Sequence, residues 1–109
     1  AEGVDALAHS ATLKRLTQLT LTYNPLGLRG AEVIANAENF KNVTLMDLYE
    51  TEIGNLGGKA LANSKNLPAM KTLVLIHNDI TEGVEALFKD NENFPNLENI
   101  YFNKPKETE

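Results

Sequence analysis

The segment Leu16-Thr-Gln-Leu19-Thr-Leu21-Thr-Tyr-Asn24-Pro-Leu26 decides how the rest of the chain is read, because it returns. It comes back as Val43-Thr-Leu-Met46-Asp-Leu48-Tyr-Glu-Thr51-Glu-Ile53, and again as Met70-Lys-Thr-Leu73-Val-Leu75-Ile-His-Asn78-Asp-Ile80. The spacing is constant: Leu21, Leu48 and Leu75 lie 27 residues apart, and so do Leu26, Ile53 and Ile80. A fourth copy opens at Leu97, with Ile100 and Phe102 in phase. Between the copies, Gly30 pairs with Gly57 and Ile34 with Leu61 at the same distance. Asn39, Asn66 and Asn93 follow suit, each ahead of Phe40, Leu67 or Phe94. The third copy is one residue shorter before Gly83 and one longer after Leu87, a compensated shift. So many apolar positions aligned at one period mark internal repeats.

Each repeat changes period along its length. Leu19-Thr-Leu21-Thr, Met46-Asp-Leu48-Tyr and Leu73-Val-Leu75-Ile alternate, which predicts short strands with one buried face. The stretches near 30–38, 57–64 and 83–90 carry apolar residues at helical spacing. Val33, Ile34 and Ala37 form one face, and Ala60, Leu61 and Ser64 the next. Strands joined by one helix each run parallel, because the helix is the return path. One unit cannot bury its own apolar face, so neighbours stack. Asn24 and Asn78 stand where the chain leaves the strand, and their amides suit the backbone groups left over there. Thr51 does this only in part, so the second turn is expected to be the weaker. Asn39, Asn66 and Asn93 fall just after the helices, where a left-handed asparagine is expected to end each one. Pro68 and Pro95 then prevent continuation.

The pattern L-x-x-L-x-L-x-x-N-x-L, followed by a G-x-x-x-L helix, resembles the leucine-rich-repeat family. The repeat length points to its ribonuclease-inhibitor-like class, and the likeness runs from about Gly3 to Phe102. Thr51 replaces the repeat asparagine, and Pro105 stands where a fourth one is expected. The resemblance implies an α/β solenoid of right-handed β-α repeats of about 27 residues, with a parallel concave sheet and outer helices. Residues 1–103 then form one repeat domain of about three full repeats, with partial repeats at both ends, and 104–109 a polar tail. Gly3-Val-Asp-Ala-Leu7-Ala is in phase with Gly30-Ala-Glu-Val-Ile34-Ala, so the chain starts on a helix without its strand. That helix is either a cap or the remnant of a longer array. The ordinary repeat character of Ala6 and Leu7 favours the second.

Composition narrows the function. Hydrophobic residues at 42% suffice for a core, and no apolar run approaches a bilayer's width. A net charge of −5 argues against binding a phosphate backbone. Cysteine is absent, which removes disulfides and thiolate metal sites and fits either a cytosolic or a secreted setting. Gly54-Asn-Leu-Gly57-Gly58-Lys59-Ala60 only superficially resembles a phosphate loop, since Ile53 and Ala60 occupy the positions of its first Gly and its Ser or Thr. His9 and His77 are the only imidazoles and lie in different elements, so no metal site and no cofactor is expected. No set of nucleophile, base and orienting carboxylate is in phase, and the chain is expected not to be an enzyme. Asn42-Val43-Thr44 matches the glycosylation sequon, a short motif that needs a secretory route.

What remains is the sheet face turned away from the helices. Its side chains form rows 27 residues apart: Gln18, Leu45, Thr72, Asn99; Thr20, Asp47, Val74, Tyr101; Thr22, Tyr49, Ile76, Asn103; Tyr23, Glu50, His77, Lys104. A solvated face carries polar residues. Leu45, Tyr49, Val74, Ile76 and Tyr101 are apolar or aromatic neighbours instead, a composition typical of partner sites. Glu50 and His77 face one another across one repeat at the rim. The expected function is a protein-protein interaction module whose partner is another protein, with neither nucleic acid nor membrane involved. Family members include inhibitors, receptors, GTPase regulators and bacterial effectors, so the resemblance implies binding but no particular ligand. The alternatives are the substrate-recognition part of a larger enzyme or effector, and a structural spacer. Open repeat ends add self-association. The core edge at Leu16, Leu19 and Leu21, with its unpaired strand, is expected to aggregate or dimerise, and one added capping repeat to suppress this. Sedimentation showing a clean monomer at high concentration favours the cap-helix reading of residues 3–10 instead.

Overall fold

Alternation along four three-residue strands sends Leu19, Met46, Leu73 and Ile100 to one side and their neighbours to the other. A computed structural model describes residues 2–10 and 15–102, so the expected polar tail, Asn103, Lys104 and Pro105 lie outside the described residues. The strands are β1 (Gln18–Thr20), β2 (Leu45–Asp47), β3 (Thr72–Val74) and β4 (Asn99–Tyr101). They form one parallel sheet in the order β1-β2-β3-β4. Gln18, Leu45, Thr72 and Asn99 stand in register, so the spatial step between strands equals the 27-residue period. Helix α1 (Glu2–Ala8) precedes the sheet; α2 (Gly27–Asn36), α3 (Gly54–Ala62) and α4 (Glu82–Glu85) connect its strands. Short 3₁₀ turns at Glu38–Phe40 and Ala86–Phe88 follow α2 and α4.

The strands begin one residue before the repeat leucines and end early, so Leu48 and Leu75 stand just past them rather than within them. The ladder nevertheless continues. Leu21, Leu48 and Leu75 donate their N–H groups to the carbonyls of Asp47, Val74 and Tyr101. Leu48 and Leu75 are fully buried, in a core with Ile34, Phe40, Met46, Leu61, Leu67, Met70 and Leu73. Towards the ends burial falls off: Leu16 and Leu21 on one side, Leu97, Ile100 and Phe102 on the other, are only partly covered.

Helices α2 and α3 begin at Gly27 and Gly54, three residues ahead of the apolar stretches, because these glycines turn the chain at φ of 62° and 63°. Their buried residues correspond one to one: Gly30 with Gly57, Ala31 with Gly58, Ile34 with Leu61, Ala35 with Ala62. The buried face is thus centred on Ala31 and Ala35, with Val33 only half-buried. Small residues let the helices approach: a Cβ on Gly57 falls 2.7 Å from Ile53 Cβ and 3.1 Å from Ala31 Cβ. The third unit departs. Thr81 occupies the place of Gly27 and Gly54 but is extended, and its N–H is bonded by Asn55 Oδ1 at 2.8 Å. Its helix shrinks to four residues plus a 3₁₀ turn, instead of filling 83–90.

Two sets of asparagines stitch the units together. Asn78, fully buried, accepts the N–H groups of Thr51 (3.0 Å) and Ile53 (3.3 Å) on Oδ1 and donates from Nδ2 to the Leu48 carbonyl at 2.7 Å. Thr51, also buried, places its hydroxyl 2.9 Å from the Leu48 carbonyl of its own turn, and reaches the preceding unit only by its backbone carbonyl. Asn39, Asn66 and Asn93 do not adopt the left-handed conformation expected of them. Their amides reach back to the preceding helix end: Asn39 to the Ser10 carbonyl at 2.7 Å, Asn66 to Ala35 at 3.1 Å, Asn93 to Ala62 at 3.2 Å. They satisfy carbonyls that the helix terminus leaves over.

Leu48→Ala is expected to lower stability by roughly 2–5 kcal/mol through lost transfer energy and a cavity. Asn78→Leu, similar in size, is expected to destabilise as well, because each buried group it leaves unbonded costs about 1–3 kcal/mol. Urea unfolding measures both. Midpoints close to that of the parent chain would contradict the burial of Leu48 and the bonding of Asn78.

Candidate functional site

The sheet face opposite the helices is built by the residues that alternate with the buried ones. Asp47, Val74 and Tyr101 stand side by side on β2, β3 and β4, next to the row of Leu45, Thr72 and Asn99. Leu45, Val74 and Ile76 are half-buried, each partly covered by its neighbours, so they contribute less free surface than their row positions promised. Tyr101 is 42% exposed. Leu45, Val74 and Tyr101 alternate with the buried residues of their strands, whereas Ile76 lies past β3, in the turn.

The remaining site residues lie where the chain turns out of the sheet. The ring of Tyr49 packs edge-on between Tyr23 and His77, at centroid distances of 5.4 and 5.2 Å. This aromatic column spans three successive units. Tyr23 is 67% exposed, the most exposed large apolar side chain among the described residues. The sequence reading puts Tyr23 in the row of Glu50 and His77, apart from Tyr49, and draws the apolar patch on repeats two to four, without it. Beyond the strands alternation lapses, because Tyr23, Glu50 and His77 take left-handed backbone angles, with φ of 62°, 52° and 59°. The turn swings Tyr49 between residues of the next row. A signal was present in the sequence, since Tyr23 and His77 are both aromatic at the same repeat position.

The left-handed region costs a non-glycine residue about 1 kcal/mol or more. Three equivalent positions bear that cost with a tyrosine, a glutamate and a histidine, where glycine would remove it. The turns are otherwise firmly held: Tyr23 and Glu50 donate their N–H groups to the carbonyls of Tyr49 and Ile76 at 2.9 Å, and Tyr49 donates to Asp47 Oδ1 at 3.0 Å. Glu50 is exposed beside this column. The expected pairing of Glu50 with His77 is not made; His77 places its ring against Tyr49 instead.

Elsewhere the surface offers shallow grooves between helices. One, of about 300 Å³, is lined by His9, Arg29, Glu32, Val33, Asn36 and Ala37. His9 there lies 3.4 Å from the Asp5 carboxylate, an exposed pair within one helix turn. Among the described residues no three His, Asp or Glu side chains converge as a metal site would require. Among the described residues no helix is long and apolar enough to cross a membrane. The chain matches no protein-family model, and comparison with curated proteins and with solved structures gives no significant similarity.

The Tyr49 ring so near the imidazole is expected to displace the His77 ring-proton resonances from random-coil values. Tyr49→Leu should return them towards those values in a chain that still folds, its two aromatic contacts being worth about 0.5–1.5 kcal/mol each. Unchanged His77 shifts in the variant would show that the column does not form in solution.

Proposed function

We propose that the chain is a leucine-rich-repeat segment that works without catalysis, binding another protein through the sheet face opposite its helices. One observation carries this reading: aromatic and apolar side chains occupy a sheet face that no other element covers among the described residues. Tyr23, Tyr49 and Tyr101 are rigid, amphipathic groups of the kind that anchor interfaces. The turns that carry Tyr23 and Tyr49 are strained and hydrogen-bonded, so little freedom is lost when a partner docks.

The repeat reading draws support from the register of 27 residues at each strand pair and from the matched buried positions of α2 and α3. Packed helices need about 8–10 Å each and paired strands only about 4.8 Å. A stack of such units therefore bends, with its strands on the inner, concave side. That curvature wraps the tyrosine-bearing face around a ligand and increases the area one partner can cover.

Capture experiments with the chain as bait, followed by titration of variants, test the proposal. Ile76→Asp and Tyr49→Ala are each expected to weaken a captured partner by about 1–3 kcal/mol, the range of a hot-spot residue, without loss of fold. Glu32→Lys and Lys59→Glu, on the helix side, are expected to be nearly silent. If Glu32→Lys abolishes binding while Ile76→Asp leaves it intact, recognition belongs to the helices.

A further inference from the structure

Charge is distributed along each unit as unevenly as the aromatic residues are. Residues 18–28, 45–55 and 72–82 hold the same places in three successive units: the strand, the turn after it and the start of the helix. They contain Asp47, Glu50, Glu52, Asp79 and Glu82, and not one Lys or Arg; in the fourth unit the corresponding stretch carries Lys104 and Lys106, outside the described residues. The cations of the described residues lie on the helices, at Arg29 and Lys59, or ahead of the strands, at Arg15, Lys41, Lys65, Lys71 and Lys89. None of the five carboxylates is in an ion pair among the described residues, where His9 with Asp5 is the one such contact. Glu50, Glu52, Asp79 and Glu82 are exposed.

We infer that the partner presents a cationic segment, its Lys or Arg heads among these carboxylates and its apolar side chains against Leu45, Val74 and Ile76. The inference rests on the binding reading above and names the chemistry of the occupant. Glu52 and Asp79 hold equivalent places in successive units, both at left-handed angles, with φ of 59° and 54°. Carboxylates repeated in this way and free of ion pairs among the described residues favour a cation over an anion. The Tyr23 ring, two-thirds exposed, offers a face on which a guanidinium stacks. A polyanion is repelled by these carboxylates. A metal ion finds no converging ligand set among the described residues. The apolar rows beside the carboxylates favour a protein segment, which brings its own side chains, over a free polyamine.

The test is selection of a random peptide library on the folded chain, with counter-selection on the Tyr49→Ala/Ile76→Asp double variant. Peptides that depend on the face are expected to be rich in Lys and Arg. Glu50→Gln with Asp79→Asn should then weaken the best peptide by about tenfold or more, increasingly so at low salt. Glu32→Gln with Glu38→Gln alters the net charge equally on the helix side and should change binding by less than about twofold. Face-dependent peptides that are neutral or acidic, or equal losses from the two charge pairs, overturn the cationic partner and leave the binding face standing. Recovery of no face-dependent peptide overturns both.

Discussion

The buried amide of Asn78 holds two successive turns in one arrangement, and much of the molecule hangs on that arrangement. Its oxygen takes the N–H groups of Thr51 and Ile53, and its nitrogen serves the Leu48 carbonyl. Those are the groups that a chain leaving a strand strands without partners. Once they are satisfied internally, the turn can be buried, the helix can start at a fixed place, and Leu48 and Leu75 can enter a dry core. The same fixed turn sets the backbone of Tyr49 and Glu50. Core and face are therefore two results of one hydrogen-bond cluster.

On the opposite side the constraint is space. Helices are wider than strands, and units stepped by one strand spacing crowd them. Ala31 and Gly57 relieve the crowding between α2 and α3, Gly58 does so towards Val84 of α4, and Asn66 and Ser64 tie the first two units by bonds to the Ala35 carbonyl. The third unit follows a different course. With Thr81 where a left-handed glycine stood before, the chain enters α4 from an extended approach and keeps only one turn of α-helix. Phe88 then fills the space, packed against Phe94 and Phe102.

Much of this was legible beforehand because a period is a spatial instruction. Residues 27 apart that share apolar character had to stack, and Leu19, Met46, Leu73 and Ile100 do stand in register. The misreadings concern directions, which composition does not encode. Asn39, Asn66 and Asn93 were recognised as helix-end residues, but whether an asparagine bends its own backbone or lends its amide to a neighbour depends on what lies beside it. Tyr23 belongs to the first repeat, outside the apolar patch read on repeats two to four, and only the turn geometry brings its ring against Tyr49. The half-burial of Leu45, Val74 and Ile76 depends on neighbouring strands and so could not be read from one row. Whether the face binds as proposed is a separate matter from these geometric ones.

The side-chain bonds that link distant parts of the chain run between residues 25 apart, as in Ile53 with Asn78, and 32 apart, as in Leu7 with Asn39. Each is a step from one unit to the next. No segment described by these bonds waits for a distant one before it can be completed. During synthesis, every further stretch of about one repeat supplies the asparagines that close off the turn and helix end already made. The nascent chain is finished from its older end forward, and its most recent unit is always the one still open.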